Sequence, residues 1–158
     1  EYDMARRAAD SLGIPLIVGL GYSGSEIAQL APKVCPWADA IELSTHYLGE
    51  DPRPMIEAID AAKSAVDVPV FVKMSPLGRE MKAAAQAAAA AGADGISATN
   101  SFGPAFGVDV ETGYPLMGGK GYGWLSGPAL KPLALRCVYD IAQAVDLPII
   151  GVGGISSG

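Results

Sequence analysis

The chain has 158 residues, half of them hydrophobic, with 20 glycines, 12 prolines and a net charge of −6. That is enough apolar material for one compact core, and the composition is not that of a disordered chain. No Lys/Arg cluster is present, which argues against a nucleic-acid footprint, and the apolar stretches are too short or too Ala-rich to span a bilayer.

The opening Glu1-Tyr2-Asp3-Met4 lacks the basic start and apolar run of a signal peptide, so a cytoplasmic location is expected. Residues 4–12 then read as a helix. Residues 15–20 (PLIVGL) read as a strand, and a Gly-rich turn leads to a helix over 25–33. A second strand is predicted at 38–44 (ADAIELS). The helix at 53–66 places Met55, Ile56, Ile59, Ala62 and Val66 on one stripe. A third strand follows at 69–74 (PVFVKM). Residues 79–91 are almost pure alanine and end at Gly92, a good helix stop. The fourth strand is 94–99 (DGISAT). Residues 102–127 form a long loop, expected to be a lid or a cofactor wall. A helix over 128–145 puts Leu130, Leu133, Ala134, Cys137, Val138, Ile141 and Val145 on one face. Ser126 is its expected N-cap, and Pro128 sits near its first turn. The last strand is 148–152 (PIIGV).

These strands are nearly continuous apolar runs, which suits a parallel sheet buried on both faces. Gly-Ile-Pro-Leu at 13–16, Asp-Val-Pro-Val at 67–70 and Asp-Leu-Pro-Ile at 146–149 each close a helix and open a strand. The other two strands open with Trp-Ala-Asp-Ala and Gly-Ala-Asp-Gly. Strict alternation implies right-handed crossovers and an α/β fold. Polar and glycine residues follow every strand, which favours a (β/α)8 TIM barrel over an open doubly wound sheet, because barrel sites form at the C-terminal strand ends. Five strands are about five of the eight such a barrel needs, so a partial barrel over 1–158 is expected, without its first strands and its last.

Several residues carry chemistry at those strand ends. Gly151-Val152-Gly153-Gly154 follows a buried strand, and such a turn lets backbone approach a phosphate. Lys73 ends an apolar strand and should point into the barrel mouth, where it needs an anionic partner or a depressed pKa. It could stabilise negative charge on a reduced flavin or form a Schiff base. Asn100 and Ser101 suit an amide-like ring edge. Glu42, Ser44 and His46 share one side if that strand stays extended, and Glu42 with His46 would make an acid–base pair. Cys35 and Cys137 lack metal-ligand spacing and read as small buried hydrophobes.

Four stretches together carry a family resemblance: Phe-Val-Lys-Met-Ser-Pro at 71–76, Gly-Ala-Asp-Gly-Ile-Ser-Ala-Thr-Asn-Ser at 92–101, Leu-Ser-Gly-Pro-Ala-Leu-Lys-Pro-Leu-Ala-Leu-Arg at 125–136 and Pro-Ile-Ile-Gly-Val-Gly-Gly-Ile at 148–155. The chain resembles the class 1 dihydroorotate dehydrogenases and the related dihydropyrimidine dehydrogenase barrel. The resemblance implies FMN as cofactor and a CH–CH oxidoreductase activity on a dihydropyrimidine-like or other small cyclic substrate. It implies that Lys73 lies by the flavin ring and that Ser126, Gly127, Gly153 and Gly154 hold the ribityl phosphate. It further implies that Asn100 and Ser101 bind the substrate ring, and that the barrel pairs with itself or with an electron-transfer subunit carrying FAD or an iron–sulfur cluster.

The chain departs from the family at the motif Asn-x-Ser-Cys-Pro-Asn, which here reads Glu42-Leu43-Ser44-Thr45-His46-Tyr47. Thr45 stands at the position of the cysteine base, and Glu42 at that of the first Asn. The expectation is a different ring or enone-like substrate contacted by Glu42, with Thr45 or His46 as proton donor. Two other readings stand beside the flavin enzyme: a Schiff-base lyase or aldolase built on Lys73, and a catalytically inactive barrel kept as a binding subunit.

Overall fold

In a computed structural model the described residues are 2–21, 23–44, 51–117 and 121–157. Helix α1 (Tyr2–Leu12) leads into strand β1 (Ile17–Leu20), followed by α2 (Gly24–Val34), β2 (Ala40–Leu43), α3 (Arg53–Lys63), β3 (Val70–Met74), α4 (Met81–Ala90) and β4 (Gly95–Ala98). Strands β5 (Phe102–Phe106) and β6 (Tyr122–Leu125) interrupt the alternation before α5 (Lys131–Ala142) and β7 (Ile149–Gly151). Strands β1, β2, β3, β4 and β7 form one parallel sheet in that order.

Residues in register on neighbouring parallel strands share a face. Val18, Ile41, Val72 and Ile96 fall on one face and join the core with Ile27, Ile59, Met81, Ala85 and Ile141 from the helices. Consecutive helices touch, α2 on α3, α3 on α4 and α4 on α5, so they form one layer in chain order. A doubly wound sheet would carry helices on both faces. Here the opposite face holds Gly19, Glu42, Phe71, Lys73, Gly95 and Ser97, as the inner wall of a barrel does. The five predicted strands and the barrel architecture are therefore present. Full burial on both faces holds for β4, but in β1 the inner positions Ile17 and Gly19 are exposed, because no layer covers them among the described residues.

Local chemistry explains the element ends. At the start of α2 the Ser23 N–H and hydroxyl both donate to the Glu26 carboxylate, at 3.1 and 2.6 Å. These two bonds, the hydroxyl first, hold Glu26 below the usual carboxylate range. In α4 the alanines buried at 84, 85 and 88 let the helix lie close to the sheet. Gly92 stops it with φ +89°, a left-handed conformation that costs glycine little.

The Ala-Asp pairs that precede β2 and β4 prove to be one repeated device. Asp39 and Asp94 accept hydrogen bonds from the backbone N–H of Leu16, just before the neighbouring β1, and of Val70, the first residue of the neighbouring β3, both at 2.7 Å. Each also pairs with a cation from the helix before that neighbour, Arg6 of α1 and Lys63 of α3. The N-terminal ends of the strands are thereby stitched to the helices.

Two expectations are corrected. Residues 102–127 were expected to form a loop, yet they contain the antiparallel pair β5–β6, extended by a bridge between Val108 and Pro115. Pro104 and the glycines at 103 and 123 hide these strands, because proline and glycine are poor strand formers. The alternation of Phe102, Pro104 and Phe106 was the available signal. Ser126 is not the N-cap of the fifth helix. Gly127, with φ +88°, caps a 3-10 turn at Pro128–Leu130, and α5 follows it. Serine adopts that φ at a cost and glycine does not, so the turn is set at 127 and Ser126 lies one residue outside, exposed. Along α5, Leu133 is 43% exposed, whereas Asp140 is buried and takes the Arg136 Nε–H at 2.7 Å.

Candidate active site

Lys73 lies at the C-terminal end of β3 on the inner face, where the sequence placed it. Its partner is Glu42 of β2, with Nζ 3.3 Å from Oε1 and both side chains mostly buried. The expected anionic partner of Lys73 is thus the residue expected to work with His46. Thr45 and His46 lie outside the described residues, as do Tyr47 and Gly118, Gly119 and Lys120 of the long segment.

On the other side of Lys73, β4 brings Ser97 into register with it. Ser97 is fully buried, and its Oγ has no hydrogen-bond partner among the described residues. Sequence reading passed over Ser97. The signal was a polar residue on the same strand parity as Thr99 in an otherwise apolar run. Just beyond β4, the Asn100 N–H donates to the Met74 carbonyl at 2.8 Å, which ties Asn100 to the end of the Lys73 strand. Its Nδ2 is buried without a partner among the described residues. Buried polar atoms are rarely left unpaired in a native protein, so two orphans on one rim mark a place where a ligand would complete the hydrogen bonding. Ser101 follows, half-buried.

The two glycine turns meet at the same rim. Thr99 N–H donates to the Val152 carbonyl at 2.8 Å, and Val152 N–H donates back to the Ala98 carbonyl. The turn after β7 therefore packs beside Asn100. Gly153 and Gly154 have φ of +134° and +69°. A Cβ on Gly154 would stand 2.8 Å from the Gly127 carbonyl oxygen and 2.9 Å from the Lys131 nitrogen, and one on Gly153 would stand 2.7 Å from the Ala134 Cβ. Only glycines let these turns approach, and the contact leaves backbone at the start of α5 beside the turn after β7. Of the four expected phosphate residues, Gly127, Gly153 and Gly154 are brought together. Ser126 is their exposed neighbour in sequence.

A cavity of about 300 Å³ lies elsewhere, between the segment after β3 and α5, lined by Arg79, Phe102, Arg136 and Cys137 among others. It contains none of the expected site residues. Cys137 is buried there, and its thiol is pushed up first by burial and then by the charge of Asp140. Among the described residues no helix is long and apolar enough to cross a membrane.

A parallel β/α barrel wall with an ion-paired lysine and paired glycine turns at its C-terminal rim places this chain among the β/α barrels, with its polar groups at the end where such barrels build their sites. Residues 23–158 match the dihydroorotate dehydrogenase family, and the chain belongs to that family. It is 39% identical over 153 residues to the catalytic subunit of dihydroorotate dehydrogenase B (NAD(+)) of Methanothermobacter thermautotrophicus, covering 90% of this chain and 50% of that protein. The subunit of the same name from Pyrococcus horikoshii is also 39% identical over 153 residues, with the same coverage of 90% and 50%. The chain thus spans about half the length of the curated relatives it matches. Among solved structures, the Eimeria tenella DHODH in complex with ferulenol superposes with a TM-score of 0.66 at 21% identity, over 87% of this chain and 44% of that one. That likeness shows the fold, a TIM barrel of which this chain supplies a part. The relatives support the dihydroorotate dehydrogenase side of the resemblance, and those named above are not dihydropyrimidine dehydrogenases.

Proposed function

We propose that this chain is the part of an FMN-dependent oxidoreductase that holds the flavin phosphate and one edge of the substrate, and that the enzyme acts on a CH–CH bond of a dihydropyrimidine-like or other small cyclic compound. The observation that carries the reading is the meeting of Gly127 with Gly153 and Gly154 on the rim where Lys73 and Asn100 also lie. The residues suit the cofactor: the glycine turns expose backbone N–H groups to a phosphate, and Lys73 supplies a cation to a ring that gains negative charge. Ser126, exposed beside Gly127, adds a hydroxyl to the phosphate. FMN, when bound, supplies hydride acceptance or donation at its N5.

The chain's own residues then bind and orient. Asn100 offers its unpaired Nδ2 to a ring carbonyl, with Ser101 beside it. Glu42 fixes the Lys73 ammonium and contacts the substrate. Thr45 or His46, just beyond β2, delivers or takes the proton on the face away from the cofactor. The barrel begins with strands ahead of β1 and closes with one after β7. It works in the cytoplasm, as a homodimer or with an electron-transfer subunit carrying FAD or an iron–sulfur cluster. Being similar to proteins named as catalytic subunits supports the second arrangement.

The Schiff-base alternative is the weaker one. Its nucleophile must be free to attack a carbonyl, whereas the Lys73 Nζ is engaged by Glu42 at 3.3 Å. The deciding experiment is an absorbance spectrum of the complete protein, followed by a substrate screen that monitors flavin bleaching. A yellow protein bleached by a cyclic CH–CH donor supports the proposal. A colourless protein trapped by borohydride with a carbonyl substrate assigns the aldolase instead. A flavin that no donor reduces identifies an inactive barrel.

A further inference from the structure

Ser97 is enclosed by this chain's own atoms, and its Oγ is an orphan among the described residues. A group arriving at the rim therefore has no direct path to that oxygen, and its partner must come from the wall itself. Strand β4 is flanked on both sides, by β3 and β7, and the register sets Ser97 between Lys73 and Ile150. Two residues back on the same face is Gly95, where the Phe71 ring fills the room that a Cβ would take. The floor beneath Ser97 is thus apolar and closed. Of its two register neighbours Lys73 alone carries a donor, on a stem long enough to turn. The lysine ammonium has three N–H groups to give. Its contact with Glu42, at 3.3 Å, is longer than the roughly 2.7–2.9 Å of a charge-assisted hydrogen bond, so the lysine is loosely held on that side.

We propose that Ser97 is a positioning residue for this lysine. With a ring at the rim, the Ser97 hydroxyl accepts one Lys73 N–H and balances the pull of Glu42, so the ammonium stands between the two and stays available to the ring. Without that acceptor the lysine settles on Glu42, and its charge is matched there instead of at the ring. Ser97 itself never touches the ligand. The orphaned hydroxyl is the trace of this arrangement: a buried hydroxyl with no bond costs stability, and the cost is relieved when Lys73 turns toward it. A ligand thus completes the bonding of Ser97 through Lys73, not by contact. The inference rests on the functional reading above, in which a ring that gains negative charge lies at Lys73.

The test uses the complete protein and Ser97→Ala. In the FMN-loaded form the two-electron potential of the flavin is read by equilibration with a redox dye. The expected result is a fall of about 30 mV, which corresponds to about tenfold weaker relative binding of the reduced cofactor. The same substitution added to Lys73→Met should change that relative binding by less than about twofold, or about 9 mV. In the apoprotein the urea midpoint of Ser97→Ala should equal or exceed that of wild type, because alanine removes a buried group that has no bond to lose. An unchanged potential in Ser97→Ala overturns the proposal. So does the same fall in the Lys73→Met background. A lowered urea midpoint, or failure of Ser97→Ala to fold, also overturns it and makes Ser97 an ordinary structural residue. If Lys73→Met takes up no FMN, the other two measurements decide. A wild type that takes up no FMN refutes the flavin reading and this inference with it, whereas a loaded wild type whose potential ignores Ser97 refutes the inference alone.

Discussion

Gly154→Ala is the most direct probe of the phosphate cradle. At φ +69° an alanine adopts the left-handed region at a cost of about 1–2 kcal/mol. Its Cβ would also lie 2.8 Å from the Gly127 oxygen, 2.9 Å from the Lys131 nitrogen and 3.0 Å from the Lys131 Cβ. Two of these three neighbours are backbone, and the third is the stem of a helical side chain, so none can swing aside. Overpacking of this kind adds about 1–3 kcal/mol if the turn holds its place. The turn gives way instead and separates from Gly127, which opens the cradle. A loss of about 2 kcal/mol corresponds to roughly 30-fold weaker FMN binding. The assay is quenching of FMN fluorescence on titration with the complete apoprotein, with circular dichroism as a check on folding. An affinity within about threefold of wild type, less than about 0.7 kcal/mol, would refute the idea that these glycines meet in order to hold the cofactor.

Three further outcomes are expected. Asp94→Ala removes the acceptor of the Val70 N–H and the partner of Lys63. Breaking a hydrogen bond to a charged group costs about 1.5–3 kcal/mol, and the half-exposed ion pair adds less than about 1 kcal/mol. The urea midpoint should fall at unchanged m-value, and a change under about 0.5 kcal/mol would contradict the role assigned to Asp94. The same pair predicts a pH dependence. Burial pushes the Asp94 carboxyl up, but the Lys63 ammonium and the Val70 N–H outweigh it and hold the group below its ordinary value. The unfolded chain therefore takes up the proton at higher pH than the folded one, and the stabilisation is complete above the ordinary carboxylate value of about 3.9. The stability gap between wild type and Asp94→Asn should shrink as pH falls through the lower, folded value, and a gap that widens on acidification would show the sign to be wrong. Finally, a Cβ at Gly95 would overlap the Phe71 ring. Gly95→Ala should cost about 1–3 kcal/mol, and much of that loss should vanish when Phe71→Ala is added in a double-mutant cycle.

The sequence exposed most of the architecture because each strand of the parallel sheet is a short apolar run bounded by turn residues. Lys73 could be placed for the same reason: a lysine ending such a run has few other places to go. What escaped were features that depend on a second segment. Strands β5 and β6 stabilise one another across 15 intervening residues, from 107 to 121, and neither carries strong strand character alone. The cap at Gly127 rather than Ser126 followed from a backbone angle that composition does not encode. Asp39 and Asp94 were visible as a repeated Ala-Asp pair, but their function appears only once the neighbouring strand offers its N–H. Ser97 looked like filler until the register set it against Lys73.

The acidic staples at the foot of the strands and the glycine turns at their opposite ends divide the labour of the fold. Asp39 and Asp94 tie backbone at the N-terminal ends of the strands, at the end of the sheet opposite Lys73 and Asn100. Residues such as Glu42 and Asn100 can then be exchanged to suit another compound without the exchange being judged first by folding. A scaffold wired in this way can change its chemistry in single steps, and the divergent motif that begins at Glu42 has the form of one such step.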